Sequence, residues 1–219
     1  PMIALVGYTN SGKSTLMNSL TGADVEAAAR PFSTLDPTVR GLKLPGRMQV
    51  MLVDTVGFIH RLPHMLIEAF KATLEEVRTA SMLLHVIDAS SPLRAERMEI
   101  VDRVLEEIGA GATPRLIVMN KLDLLGADVR PPSGPDMVAI SALRGEGLEP
   151  LLERVAGFFA GQREKVHVTL PAVRGDLIAM ARRDGLVVSE EYSDGVVAIS
   201  AVVSAPVAGR LRRAAYPVS

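Results

Sequence analysis

Gly7-Tyr8-Thr9-Asn10-Ser11-Gly12-Lys13-Ser14 follows the spacing G-x-x-x-x-G-K-[ST], and its two neighbours decide how it folds. Met2–Val6, just before it, is an apolar run of strand length. Lys13–Leu20, just after it, reads as a helix ending near Gly22. Strand, glycine-containing loop and helix in that order predict a loop that cradles phosphate. Glycines let backbone N–H groups wrap phosphate oxygens, and the helix N-terminus adds a favourable dipole. Lys13 is expected to reach the β- and γ-phosphates, and the Ser14 hydroxyl to ligate Mg²⁺. Residues Gly7 through Thr15 are the expected phosphate contacts.

Outward from this loop, Met48–Asp54, Met82–Asp88, Arg115–Asn120 and Met137–Ile140 read as further strands, each with a polar residue at or near its C-terminal end. Helical patterns at Leu66–Arg78, Arg94–Ile108 and Leu148–Phe159 lie between or after them. Strands alternating with helices predict an α/β fold of the P-loop NTPase kind, with a doubly wound, mostly parallel sheet. Ligands of such sheets bind beyond the carboxyl ends of the strands, where these polar residues collect. Two stretches break the rhythm: Ala27–Gly41, read as a functional loop, and Gly126–Pro135, read as a connector. Gly161-Gln162-Arg163-Glu164-Lys165 then leads into a small α+β domain. Its expected elements are a strand at Val166–Leu170, a helix at Asp176–Arg183, hairpin strands at Leu186–Tyr192 and Val196–Val203 turned by Ser193-Asp194-Gly195, and a last helix near Pro206–Ala215. The expected domains are therefore 1–160 and 161–219.

Three more motifs sit at strand ends. In Asp54-Thr55-Val56-Gly57, the carboxylate of Asp54 is placed to hold a Mg²⁺-bound water and the Gly57 N–H to sense a γ-phosphate. Asn120-Lys121-Leu122-Asp123 carries the choice of base. Asp123 accepts hydrogen bonds from the guanine N1–H and 2-amino group, whereas adenine presents no amino donor there and an unprotonated N1. Ser141-Ala142-Leu143, after the last strand, offers backbone N–H groups to the guanine oxygen. GTP and GDP are the expected ligands. Within Ala27–Gly41, a switch threonine is expected to engage Mg²⁺ and γ-phosphate; Thr34 is the first choice for that catalytic and metal-ligating role and Thr38 the reserve, with Arg30 and Arg40 flanking.

Composition narrows the class. A chain of 219 residues, 48% hydrophobic and 22% charged, suffices for one α/β domain and a small second unit. It contains no cysteine, so it has neither a disulfide framework nor a thiolate metal site, in keeping with a cytoplasmic location. The apolar stretches are strand-sized, which predicts no membrane span. A net charge of −1 argues against holding DNA or other nucleic acid by bulk electrostatics, while leaving room for a local basic face.

The motifs together, with Phe32-Ser33-Thr34-Leu35-Asp36-Pro37-Thr38, Asp54-Thr55-Val56-Gly57-Phe58-Ile59, Leu62-Pro63-His64 and Glu68-Ala69-Phe70-Lys71-Ala72-Thr73-Leu74-Glu75-Glu76, resemble the HflX family of translational GTPases. The resemblance runs through residues 2 to about 160, and the segment after it is similar in layout to the small domain that follows the GTPase domain in some members. It implies GTP hydrolysis with Mg²⁺ and work at the large ribosomal subunit, splitting or rescuing stalled ribosomes under stress. That family normally has an N-terminal domain and helical linker ahead of the phosphate loop. This chain starts at the first strand, so the expectation is a GTPase-plus-C-terminal piece, or a lineage without that domain, with ribosome action reduced or absent.

Phe58 stands where many small GTPases have a glutamine that orients the attacking water. Slow intrinsic hydrolysis accelerated by a partner follows. Asn10 resembles the asparagine of potassium-activated GTPases, which implies K⁺; its other reading is a turn former. His60 and His64 are four residues apart, but Pro63 intervenes and the glutamate of H-E-x-x-H is missing, so no zinc site is expected; His85 reads as a packed strand residue. The alternatives are a nucleotide-gated docking module with negligible hydrolysis and an ATP-using P-loop enzyme, the latter opposed by Asn120-Lys121-Leu122-Asp123.

Overall fold

Continuous apolar runs become the buried middle of a sheet when both faces are covered, and β1 (Met2–Val6) does so: every residue after Met2 is buried. The computed structural model describes residues 1–22, 38–55, 57, 71–126, 129 and 134–216, with backbone only at 47 and 71–74. After β1 come α1 (Lys13–Thr21), β2 (Thr38–Leu44), β3 (Met48–Asp54), α2 (Lys71–Thr79), β4 (Met82–Asp88), α3 (Arg94–Glu107), β5 (Arg115–Asn120), β6 (Met137–Ala139) and α4 (Leu148–Gly161). The strand order is β2-β3-β1-β4-β5-β6, parallel throughout except that β2 runs antiparallel to β3.

From β1 the chain goes outward to β3 on one side and returns to β4 on the other, so the order reverses at the carboxyl ends of β1 and β4. A crevice opens at such a reversal, and the loop Gly7–Gly12 begins there. One face of β1 packs through Ala4 and Val6 against Val77 of α2, Leu83 of β4, and Val101 and Leu105 of α3. Helix α1 buries Leu16 and Met17 on the same face as Lys13, as 3.6-residue periodicity requires, and stops at Gly22, which takes φ 67° and donates its N–H to Asn18 O.

The structure departs from the sequence expectation at β2. Thr38–Gly41, read as the end of a loop, are the first residues of an edge strand whose partners run from Thr38 opposite Asp54 to Leu44 opposite Met48. An edge strand covered on one face needs only alternate apolar residues, and here only Leu42 and Leu44 are buried. Arg40 and Gly41 hide that alternation.

Contacts divide the described chain into Pro1–Glu153 and Arg154–Ser219, a boundary inside α4. The second unit contains β7 (Arg163–Pro171), α5 (Gly175–Asp184), β8 (Leu186–Ser193), β9 (Val196–Ser204) and α6 (Ala205–Ala214). Its sheet, ordered β7-β9-β8, is antiparallel. Alternate residues of β7 and β9, such as Val166, Leu170, Ile199 and Val203, meet Leu177 and Ile178 of α5 and Leu211 of α6 in a separate core. The β8–β9 turn is the two-residue Asp194-Gly195, both at positive φ, the geometry that matches strand twist in a tight hairpin. Among the described residues no helix is long and apolar enough to cross a membrane.

Candidate nucleotide site

The loop after β1 takes its shape from two glycines. Gly7 has φ 151°, and a Cβ there would lie 2.3 Å from Val86 O; Gly12 has φ 100°, and a Cβ would lie 2.2 Å from Asn120 Nδ2. No other residue fits either place without moving backbone or a buried amide. Asn10, at φ 60°, occupies the left-handed region that asparagine tolerates. Tyr8 lies under the Arg97 guanidinium, 4.9 Å from its ring centre.

Lys13 opens α1 and folds back across the loop, its Nζ donating to Gly7 O at 3.2 Å and Tyr8 O at 3.4 Å. Burial pushes its pKa down to about 8, and the nearby Asp54 carboxylate opposes that only in part. A buried ammonium destabilised in this way gains when an anion arrives beside it. Ser14 Oγ donates to Asp54 Oδ2 at 2.6 Å, joining the loop to the end of β3. A hydroxyl and a carboxylate oxygen are hard donors of the type Mg²⁺ takes. Thr55 Oγ1 donates to Leu5 O at 2.6 Å and fixes the next residue to β1. Gly57 comes so close that a Cβ would stand 2.9 Å from Thr9 Cα and 3.1 Å from Lys13 Nζ.

The opposite end of the site is tied to the loop by one side chain. Asn120, buried at the end of β5, donates from Nδ2 to Ser11 O at 2.9 Å and accepts at Oδ1 from the Ala142 N–H, also at 2.9 Å. Lys121 follows at φ 67° and donates to Asp88 Oδ2 at 2.7 Å. Burial would raise the Asp88 carboxyl, but hydrogen bonds from Lys121 and Ser90 outweigh it and hold it below its ordinary value. Asp123 accepts from Ser141 Oγ at 2.6 Å. Ser141 is fully buried and exchanges two backbone hydrogen bonds with Glu146, and Ser19 Oγ of α1 donates to Ala142 O at 2.6 Å.

Phosphate-loop, Asp54, Asn120 and Ser141 segments thus converge on the carboxyl end of one sheet. Of the two threonines considered for the switch, Thr38 stands opposite Asp54 in the β2–β3 ladder, and Thr34 lies outside the described residues, as do Arg30, Phe58, His60 and His64. Arg40 donates to Thr21 Oγ1, at the far end of α1 from Lys13. His85 is buried in β4, as its strand position implied. Among the described residues no group of three His, Cys, Asp or Glu side chains is placed to hold a metal ion. Sequence reasoning did not single out Asp88 as the partner of Lys121; a carboxylate ending β4 next to the strand that carries Asn120 was the available signal.

The fold and the motif order define a P-loop GTPase. Residues 2–121 match the family described as "50S ribosome-binding GTPase", and residues 129–215 match the "HflX C-terminal domain". The chain is 44% identical over 212 residues to "GTPase HflX" of Caldanaerobacter subterraneus subsp. tengcongensis, covering 97% of this chain and 49% of that protein. It is 45% identical over 183 residues to "GTPase HflX" of Escherichia coli, covering 81% and 43%. Among solved structures, a GTP-binding protein from the archaeon Sulfolobus solfataricus in complex with GDP is 34% identical, with a TM-score of 0.58 over 72% of this chain and 51% of that one. This chain belongs to the HflX family of GTPases, and it spans about half the length of the curated relatives it matches.

Proposed function

We propose that this chain binds GTP and GDP through Gly7–Thr15, Asp54, Gly57, Asn120, Lys121, Asp123 and Ser141–Leu143, hydrolyses GTP, and acts with the large ribosomal subunit in the cytoplasm. The observation that carries the nucleotide reading is the Asn120 bridge. One buried amide holds the phosphate-binding backbone at Ser11 and the base-side backbone at Ala142, so both ends of a guanine nucleotide meet a single rigid frame. Asp123, which accepts from Ser141 Oγ, would select guanine by accepting from N1–H and the 2-amino group.

Lys13 supplies a positive charge to the β- and γ-phosphates, and its buried position strengthens that interaction. Ser14 and Asp54 would hold Mg²⁺, directly or through water, and Mg²⁺ when bound would neutralise charge on the phosphate oxygens. Gly57, packed on Thr9 beside Lys13, would sense the γ-phosphate through its N–H. Position 58 is Phe, which cannot orient water, so intrinsic turnover is slow and a partner accelerates it. The family description names the 50S ribosome, which makes the large subunit the partner of choice. A K⁺ role for Asn10 would show as faster turnover in KCl than in NaCl.

Steady-state GTP hydrolysis with Mg²⁺, alone and with purified large ribosomal subunits, tests this reading with Lys13→Ala as the blank. Stimulation by the subunits supports it. GTP binding with no hydrolysis under either condition would favour a nucleotide-gated docking module, for which Phe58 is the supporting observation.

A further inference from the structure

In the second unit, three arginines are neutralised by a neighbour. Arg174 forms a two-point pair with Asp176, Arg182 another with Glu190, and Arg212 pairs with Glu164 at 2.6 Å. Three others are not. Arg183 of α5 and Arg210 and Arg213 of α6 make no ion pair among the described residues, and the Arg210 guanidinium reaches only Met180 Sδ, at 3.8 Å. These three, with Arg174, line one open groove of about 390 Å³ where α5 packs on α6. The single carboxylate there, Asp176, is already engaged by Arg174.

Exposed like charges repel, so three unneutralised guanidiniums around one concavity leave a local positive potential in a chain whose net charge is −1. A guanidinium offers a planar fork that matches two phosphate oxygens, and it stays charged at every physiological pH. Arg210 and Arg213 are one turn apart on the same helix, about 5–6 Å between Cβ atoms, a step comparable with that between successive phosphates of one strand. The residues lining the groove include no aromatic side chain, and of the apolar ones Leu177 is buried and Met180 and Ala214 are only partly exposed. A docked protein would instead want an exposed apolar or aromatic centre ringed by polar groups.

We infer that the α5–α6 groove binds the phosphodiester backbone of RNA through Arg183, Arg210 and Arg213. The inference rests on the ribosome-linked reading above and adds to it a second contact, independent of nucleotide chemistry. Contacts of this kind position the protein and carry no sequence information. Their affinity falls steeply with salt.

The test is fluorescence anisotropy of the whole chain with a labelled RNA hairpin across a KCl series, a labelled polyglutamate peptide serving as the acidic-protein probe. Arg183→Gln/Arg210→Gln/Arg213→Gln should weaken RNA binding by about tenfold or more and flatten the log–log salt dependence by roughly 2 to 3 units. Circular dichroism and basal GTP turnover should stay unchanged. Asp176→Asn, which releases Arg174 into the groove, should tighten binding severalfold and steepen the salt dependence by about 1; a merely structural role would not strengthen binding. Failure of the wild-type chain to bind RNA, unchanged affinity in the triple variant, or stronger binding of polyglutamate than of RNA would overturn the inference. The expected RNA results in a chain that shows no GTP turnover would keep the groove and remove the GTPase reading.

Discussion

Asn120→Ala should destabilise the nucleotide-free protein, because Asn120 is structural before it is functional. Truncation removes two hydrogen bonds of 2.9 Å and leaves Ser11 O and the Ala142 N–H without that partner, in a region where Ser11, Asn120 and Ala142 are each 2% exposed. A buried polar group left unpaired costs about 1–3 kcal/mol. For two such groups, with some relief from water entering the vacated space, the expected loss is about 3 kcal/mol. With a urea m-value of about 2 kcal/mol/M, the midpoint of the nucleotide-binding unit would fall by roughly 1.5 M. Asp123→Ala is the companion variant. Asp123 is half-buried and gives up one hydrogen bond, from the buried Ser141 Oγ, so its removal should cost about 1–2 kcal/mol, less than the loss of both Asn120 bonds. Both variants should lose guanine-nucleotide affinity, yet the first should lose clearly more stability without ligand. The assay is urea unfolding of the apo chain followed by circular dichroism. Equal midpoints for Asn120→Ala and the wild type would refute the idea that this amide couples the two halves of the site.

Two more consequences concern groups beside the loop. His85 is 2% exposed and burial pushes its pKa down to about 4, the Asp102 carboxylate opposing only in part; the unfolded chain therefore takes up the proton first. Stability is full above the unfolded value near 6.5 and is lost as pH falls toward about 4, by up to about 3 kcal/mol; thermal unfolding between pH 7 and 4 should show this slope, and His85→Gln should flatten it. Gly57→Ala places a methyl 2.9 Å from Thr9 Cα and 3.1 Å from Lys13 Nζ, so overpacking should cost about 1–3 kcal/mol, read as weaker triphosphate binding or a lower urea midpoint. Wild-type values for both would show that Gly57 does not close on the loop.

Much of this was legible in the sequence because the physics was local. Strands β1, β3, β4 and β5 are apolar runs whose ends carry Gly7, Asp54, Asp88 and Asn120, and their bounds follow from where the apolar residues stop. The second unit was readable for the same reason, through alternation in β7 and β9 and the Asp194-Gly195 turn. β2 was not, since an edge strand needs few apolar residues and Arg40 and Gly41 interrupt the pattern. The pairings that hold the site together were also hidden. Asn120 and Ser11 are separated by 109 positions, Lys121 and Asp88 by 33, and Ser141 and Asp123 by 18, so only the fold brings each pair into reach. The arginine groove belongs to this group, because α5 and α6 are joined only through the hairpin between them.

If this site selects guanine through the Asp123 carboxylate, competition of GTP, ATP and XTP against a fluorescent GDP analogue will show it. The wild-type chain should prefer GTP to both competitors, and Asp123→Asn should shift preference toward XTP by reversing the hydrogen-bond polarity that faces the base. ATP competing as well as GTP, or an Asp123→Asn chain that gains nothing for XTP, would rule out guanine selection by Asp123.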